Sequence, residues 1–91
     1  MEIKDRAQVI DIMRRKHTEG YNYVVRDEDG EWLLLFTLKP KKYRDLESWG
    51  YVNQNAPGVK MAYPIKNKDI EEINWKNRSP VLISDFLAKN K

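Results

Sequence analysis

The run Trp32-Leu33-Leu34-Leu35-Phe36 is apolar at every position, and this sets the first demand on any fold the chain adopts. Side chains alternate along a strand, so an extended chain here puts Trp32, Leu34, Phe36 and Leu38 on one face and Leu33, Leu35 and Thr37 on the other. Both faces need cover. The pattern therefore predicts a strand over Glu31 to Leu38 that is central in its sheet or covered on both sides, with a helix covering one face. Leu34 and Phe36 are the first candidates for the core.

Upstream, Ala7, Val9, Ile10, Met13 and His17 recur at helical spacing, and Ile12 widens the stripe. Asp5 stands at the start of this segment and Arg14, Arg15 and Lys16 near its end, both favourable to the helix dipole. Gly20 offers a stop, so a helix is expected from Asp5 to Thr18. Tyr21 to Arg26 suits a pleated surface and reads as a strand, with Tyr21, Tyr23 and Val25 on one face.

Between these two strands lies R-D-E-D-G-E-W, which carries Asp27, Glu28, Asp29 and Glu31 around Gly30. Calcium loops place oxygen ligands at alternating positions and close with a Glu six residues past the glycine. Phe36 stands there instead, and the flanks alternate as strands. Asp29-Gly30 is accordingly read as the turn of a hairpin, since both residues tolerate positive φ.

Beyond the second strand, Lys39 to Arg44 reads as a basic connector opened by Pro40. Trp49 to Asn53 reads as a short strand, and N-Q-N-A-P-G as a turn with Pro57-Gly58 at the centre of a type II bend. Val59 to Tyr63 is the expected return strand, limited by Pro64. Asn67 reads as the cap of a short helix through Ile73. For residues 80–89 two readings stand: one helix begun at Ser79-Pro80, or a strand at Val81-Leu82-Ile83 with a helix after Ser84.

The expected fold class is α+β: an antiparallel sheet of three or four strands packed by an N-terminal helix, with one or two short C-terminal helices. At 91 residues the chain is expected to form a single domain, since domains commonly run to ~100–150 residues. The absence of cysteine removes thiol catalysis and Cys-ligated metal and fits a reducing compartment. No apolar run approaches the ~20 residues of a spanning helix, and the N-terminus lacks a signal-peptide core. A cytoplasmic protein without membrane association is the plain expectation.

The motifs of chemistry are missing as well. The single His17 cannot build a multi-histidine metal site, and Gly20, Gly30, Gly50 and Gly58 stand too far apart for a phosphate loop. Neither catalysis nor a cofactor is expected. The positive feature is a basic, aromatic middle. Lys39, Lys41, Lys42 and Arg44 surround Tyr43, with Trp49 and Tyr51 close behind. Nucleic-acid binders combine cations for phosphate with aromatic faces for bases. Arg14, Arg15 and Lys16 would extend that patch if the helix end lay beside it. A protein partner or self-association is the other reading, through aromatic anchors or an open sheet edge that pairs with a partner strand or a second copy. With a net charge of only +3, the protein partner is favoured and nucleic acid is the alternative.

In overall style, with its Lys- and Asn-rich stretch Y-P-I-K-N-K-D-I-E-E-I-N-W-K-N-R, the chain resembles the small uncharacterised proteins encoded by phages of Gram-positive bacteria and their prophages. That resemblance implies an accessory or host-directed binding role and transfers no site residue.

Overall fold

A computed structural model of the chain describes Ile3 and residues 5–90. The elements run α1 (Arg6–Thr18), β1 (Tyr23–Arg26), β2 (Trp32–Phe36), β3 (Pro40–Tyr43), β4 (Ser48–Tyr51), β5 (Tyr63–Lys66), β6 (Val81–Leu82) and α2 (Ile83–Lys89). Two sheets form: an antiparallel sheet of four strands in the order β5-β2-β1-β6, and the separate two-stranded hairpin β3-β4. The fold is α+β, as the pattern of elements implied.

The doubly apolar run explains the layering. Leu33 and Leu35 face one side, where they join Val9 and Met13 of α1, Ile83 and Phe86 of α2, and Val24, Ile65, Ile70 and Ile73. Leu34 and Phe36 face the other, where Val25 and Trp49 meet them under the β3-β4 hairpin. Helices cover one face of the four-stranded sheet and a hairpin covers the other. Of the two residues first chosen for the core, Phe36 is buried, whereas Leu34 is only half-buried because the hairpin roof is narrower than the sheet beneath it.

α1 starts where expected. The Asp5 carboxylate accepts a hydrogen bond from the Ala7 N–H at 2.8 Å, and the helix ends before Gly20 at φ +107. Tyr21 precedes β1 and turns toward the helices, departing from the face assigned to it beside Tyr23. His17 is half-buried, its Nδ1–H donating to the Tyr21 carbonyl at 2.9 Å. The β1-β2 loop turns at Asp27–Gly30, where the Gly30 N–H meets the Asp27 carbonyl at 3.2 Å and Gly30 takes φ +79. The register pairs Arg26 with Leu33 and Tyr23 with Phe36.

In the middle of the chain three expectations give way and one stands. β2 stops at Phe36 rather than Leu38. The basic stretch 39–51 is not a connector: Pro40–Tyr43 is β3, and it pairs with β4 in the register Lys41↔Gly50 and Lys42↔Trp49. Residues 59–62 are therefore not the partner of the Trp49 strand; the chain becomes a strand only at Tyr63 and pairs with β2 instead. Pro57-Gly58 does make the type II bend, with the Val59 N–H on the Ala56 carbonyl at 3.2 Å and Gly58 at φ +88.

No helix forms after Asn67. Its side chain caps as expected, accepting from the N–H groups of Asp69 and Ile70 at 3.0 Å each, but the carbonyls that follow turn sideways onto Arg26. That guanidinium is 4% exposed and donates from Nε to the Ile73 carbonyl at 2.9 Å and from its two Nη atoms to the carbonyls of Asn67 and Ile70. Three carbonyls that would otherwise point along a helix axis converge on one side chain of β1. At 80–89 the order strand then helix holds, since Val81 and Leu82 pair with Val24 and Tyr23, but the strand is one residue shorter than expected and the helix starts at Ile83 rather than after Ser84.

Candidate functional site

The basic residues singled out in the sequence do not come together. Arg14, Arg15 and Lys16 lie on α1, in the helical layer; Lys39, Lys41, Lys42, Tyr43 and Arg44 lie on or beside the hairpin, across the four-stranded sheet. Several are engaged locally. Arg14 pairs with Asp11 at 3.0 Å, and Lys16 pairs with Glu19 at 3.2 Å with its ammonium 4.2 Å above the Tyr63 ring. Arg15 is exposed.

On the hairpin, strand alternation sorts the patch. Pro40, Lys42, Trp49 and Tyr51 share the inner face. Lys42 is thus turned inward. Its ammonium donates to the carbonyls of Trp75 and Asn77 and lies 5.2 Å from the Trp49 ring and 4.5 Å from the Trp75 ring, which themselves meet edge to face. Burial, and secondarily Arg44, holds its pKa below the ordinary lysine value. This lysine fastens the hairpin to the loop 74–77. On the outer face the Tyr43 ring lies over Gly50, its hydroxyl 3.4 Å from the Tyr51 carbonyl and Lys41 5.6 Å above it. Lys39, Lys41 and Arg44 remain exposed.

Arg44 does not stand in a purely positive field. It shares a cleft of about 430 Å³ with Glu28, Lys42, Glu47 and Lys76 against Trp75. Repulsion from Glu47 raises the Glu28 pKa, so the two carboxylates face each other across the tips of the two hairpins. In the acidic loop, the Asp27 carboxylate takes the Trp32 N–H at 3.2 Å and Asp29 takes the Glu31 N–H at 2.9 Å. Desolvation and a hydrogen bond to Asp29 push Asp27 up to about 6. These carboxylates serve the turn, and among the described residues no group of three or more His, Cys, Asp or Glu is placed to hold a metal ion.

A neighbouring cleft of about 480 Å³ has Arg26 at its base and Trp75 on its wall. The Arg26 donors there are turned to the carbonyls of Asn67, Ile70 and Ile73, so this cleft lies where the loop is tethered.

The third concavity differs in chemistry. A groove of about 410 Å³ runs between β4 and residues 59–62. Leu34 and Phe36 form its floor, Trp49 and Tyr51 one wall, Met61 and Ala62 the other; among the described residues Lys60 is its single charged one. A polar network fixes the walls. The Tyr51 hydroxyl accepts the Thr37 N–H at 3.0 Å and donates to the Lys60 carbonyl at 2.7 Å. The Thr37 hydroxyl donates to the Gly58 carbonyl at 2.8 Å, and the Tyr21 hydroxyl donates to the Met61 carbonyl at 2.8 Å. Met61 is nonetheless 89% exposed, and Val52, just beyond β4, is 72% exposed. Sequence reasoning missed this site because it placed Met61 within a paired strand. The local signal was present in A-P-G-V-K-M-A-Y-P, where a proline at each end leaves little length for a strand.

The chain matches no protein-family model, no curated protein and no solved structure. No helix among the described residues is long and apolar enough to cross a membrane.

Proposed function

We propose that this chain is a non-catalytic binding protein of the cytoplasm whose partner is another protein, and that the groove beside β4 is its interface. The observation that carries the reading is an apolar groove, its walls hydrogen-bonded in place, with a methionine 89% exposed at its rim and, among the described residues, no carboxylate in its lining. Large apolar side chains held out in water beside aromatic walls are the ordinary makings of an interface core. Methionine adapts to varied apolar partners. An accessory or host-directed role, as implied by the likeness to phage-encoded proteins, is the setting attached to this reading.

Nucleic acid is the weaker alternative. Lys42 is spent on its own loop, Glu28 and Glu47 sit beside Arg44, and the α1 cations lie in the opposite layer. Immobilised wild-type chain and Met61→Glu, incubated with nuclease-treated extract of the native cells, distinguish the two. The expected result is a protein captured by the wild type, retained through a salt wash and lost with Met61→Glu. Retention on nucleic acid that falls steeply with salt and disappears in the Lys39→Glu, Lys41→Glu, Arg44→Glu variant would favour the alternative.

A further inference from the structure

The groove has a feature beyond its apolar lining. Pro40 has no N–H, so Pro40↔Tyr51 cannot be the antiparallel pair that exchanges two backbone hydrogen bonds. Exchange therefore falls at Lys41↔Gly50 and Tyr43↔Ser48. The N–H and C=O groups of Trp49 and Tyr51 then point away from β3, toward the groove. Among the described residues no backbone group bonds to them outside the hairpin; the Tyr51 carbonyl receives only the long contact from the Tyr43 hydroxyl.

Among the described residues the other strand edges lack the combination of free backbone groups and an apolar floor. β3 leaves the Lys42 backbone groups free, but the cleft beside them is lined by Glu28, Arg44, Glu47 and Lys76. β5 presents Pro64, which has no donor, and its Lys66 carbonyl already takes the Ile3 N–H at 2.8 Å. β6 is two residues long. The edge of β4 alone combines free backbone groups with an apolar floor, the combination by which an extended segment adds to a sheet.

The seat is one strand wide. The floor has four strands and the hairpin roof has two, and the pairs Trp32↔Lys66 and Leu34↔Pro64 leave the β2-β5 half of that face open beside β4. A second copy meeting this edge would bring its own β5 into the space held by β5 here. A single extended segment meets no such obstacle. The Lys60 ammonium at the rim donates to the Glu19 carbonyl at 2.7 Å, and Lys66 lies on the same sheet face, 5.9 Å from the Trp32 ring. Both contacts leave the positive charge uncompensated, and with no carboxylate lining the groove among the described residues the field favours negative charge on the occupant.

We infer that β4 receives one extended segment of a partner protein, apolar at alternate positions and flanked by Asp or Glu, bonded to the backbone of Trp49 and Tyr51 and laid over Leu34 and Ala62. This rests on the groove being the interface and specifies how it is used. The probe is a yeast-displayed library of random linear peptides panned against the full chain. Enriched peptides are expected to alternate apolar residues, to carry flanking acids and to lose at least tenfold in affinity against Met61→Glu, a change at an exposed position. In the complex, amide exchange at Trp49 and Tyr51 should slow by tenfold or more, while Ser48 and Gly50, bonded within the hairpin, stay as they were. Peptides that need Met61 yet leave Trp49 and Tyr51 exchange unchanged would overturn the strand addition while the groove stands as the interface. Failure to enrich any Met61-dependent peptide would overturn both. Slowing of the same amides with rising protein concentration alone would overturn the inference in favour of a second copy.

Discussion

Arg26 shows how one side chain can replace a secondary-structure element. Among the described residues it is buried without an ion pair, and its charge is met by carbonyl dipoles, with Asp27 and Asp69 more distant contributors. Arg26→Met should leave several buried carbonyls unpaired and cost on the order of 3 kcal/mol or more in urea denaturation. Arg26→Lys should recover little, since an ammonium lacks the planar fork that reaches carbonyls on separate turns. A loss below about 1 kcal/mol for Arg26→Met would mean the loop holds its shape without the guanidinium. Asp27 makes a pH-dependent contribution. Its folded-state pKa, about 6, lies above the ordinary 3.8, so the folded protein holds this proton more tightly than the unfolded chain. Stability from this group is present at low pH and is lost as pH rises from about 4 through about 6. Asp27→Asn keeps an acceptor for the Trp32 N–H and should melt higher than wild type above pH 6. The gain should stay under about 1 kcal/mol because the loop is largely solvated, and it should vanish near pH 4. A gain that persists at that pH would assign it to another cause.

Among the elements, the strand read from its own alternation was legible and the partners chosen at a distance were not. W-L-L-L-F announces a doubly covered strand because period-two burial needs no knowledge of the rest of the chain. Pro57-Gly58 announces its turn for the same local reason. K-P-K-K-Y gives no strand signal, since lysine and proline are poor strand residues. It becomes β3 because Lys42 finds two tryptophan rings and two carbonyls of the distant loop 74–77. The helix expected after Asn67 failed for a matching reason: its competitor is an arginine on β1, which local capping rules cannot see. Burial separates the two faces of β2. Leu35 is fully buried against the helices and Leu34 half-buried beside the groove. Leu35→Ala should therefore cost about 2–5 kcal/mol and Leu34→Ala clearly less. Equal losses in denaturant titrations would place the hairpin roof more squarely over Leu34 than described.

At the scale of the whole molecule, the chain stacks three layers: two helices, a sheet of four strands, and a roof of two. That mismatch in width opens the groove beside β4. The sequence did carry the ingredients of this site, since Trp49 and Tyr51 stood out as aromatics and an open sheet edge was among the expected modes of binding. Which edge is open depended on the pairing of β3 with β4, and so on contacts no window of residues contains. Met61→Glu, changing only a solvent-facing side chain, should leave folding stability within about 0.5 kcal/mol of wild type. A larger loss would return Met61 to the core. Binding at this groove requires a free edge on β4, and residue-resolved amide exchange on the unliganded protein tests that edge most directly. Lys41, Tyr43, Ser48 and Gly50 should exchange slowly and Trp49 and Tyr51 fast, alternating along β4. Uniformly slow exchange along Ser48–Tyr51, or the opposite alternation, would contradict it.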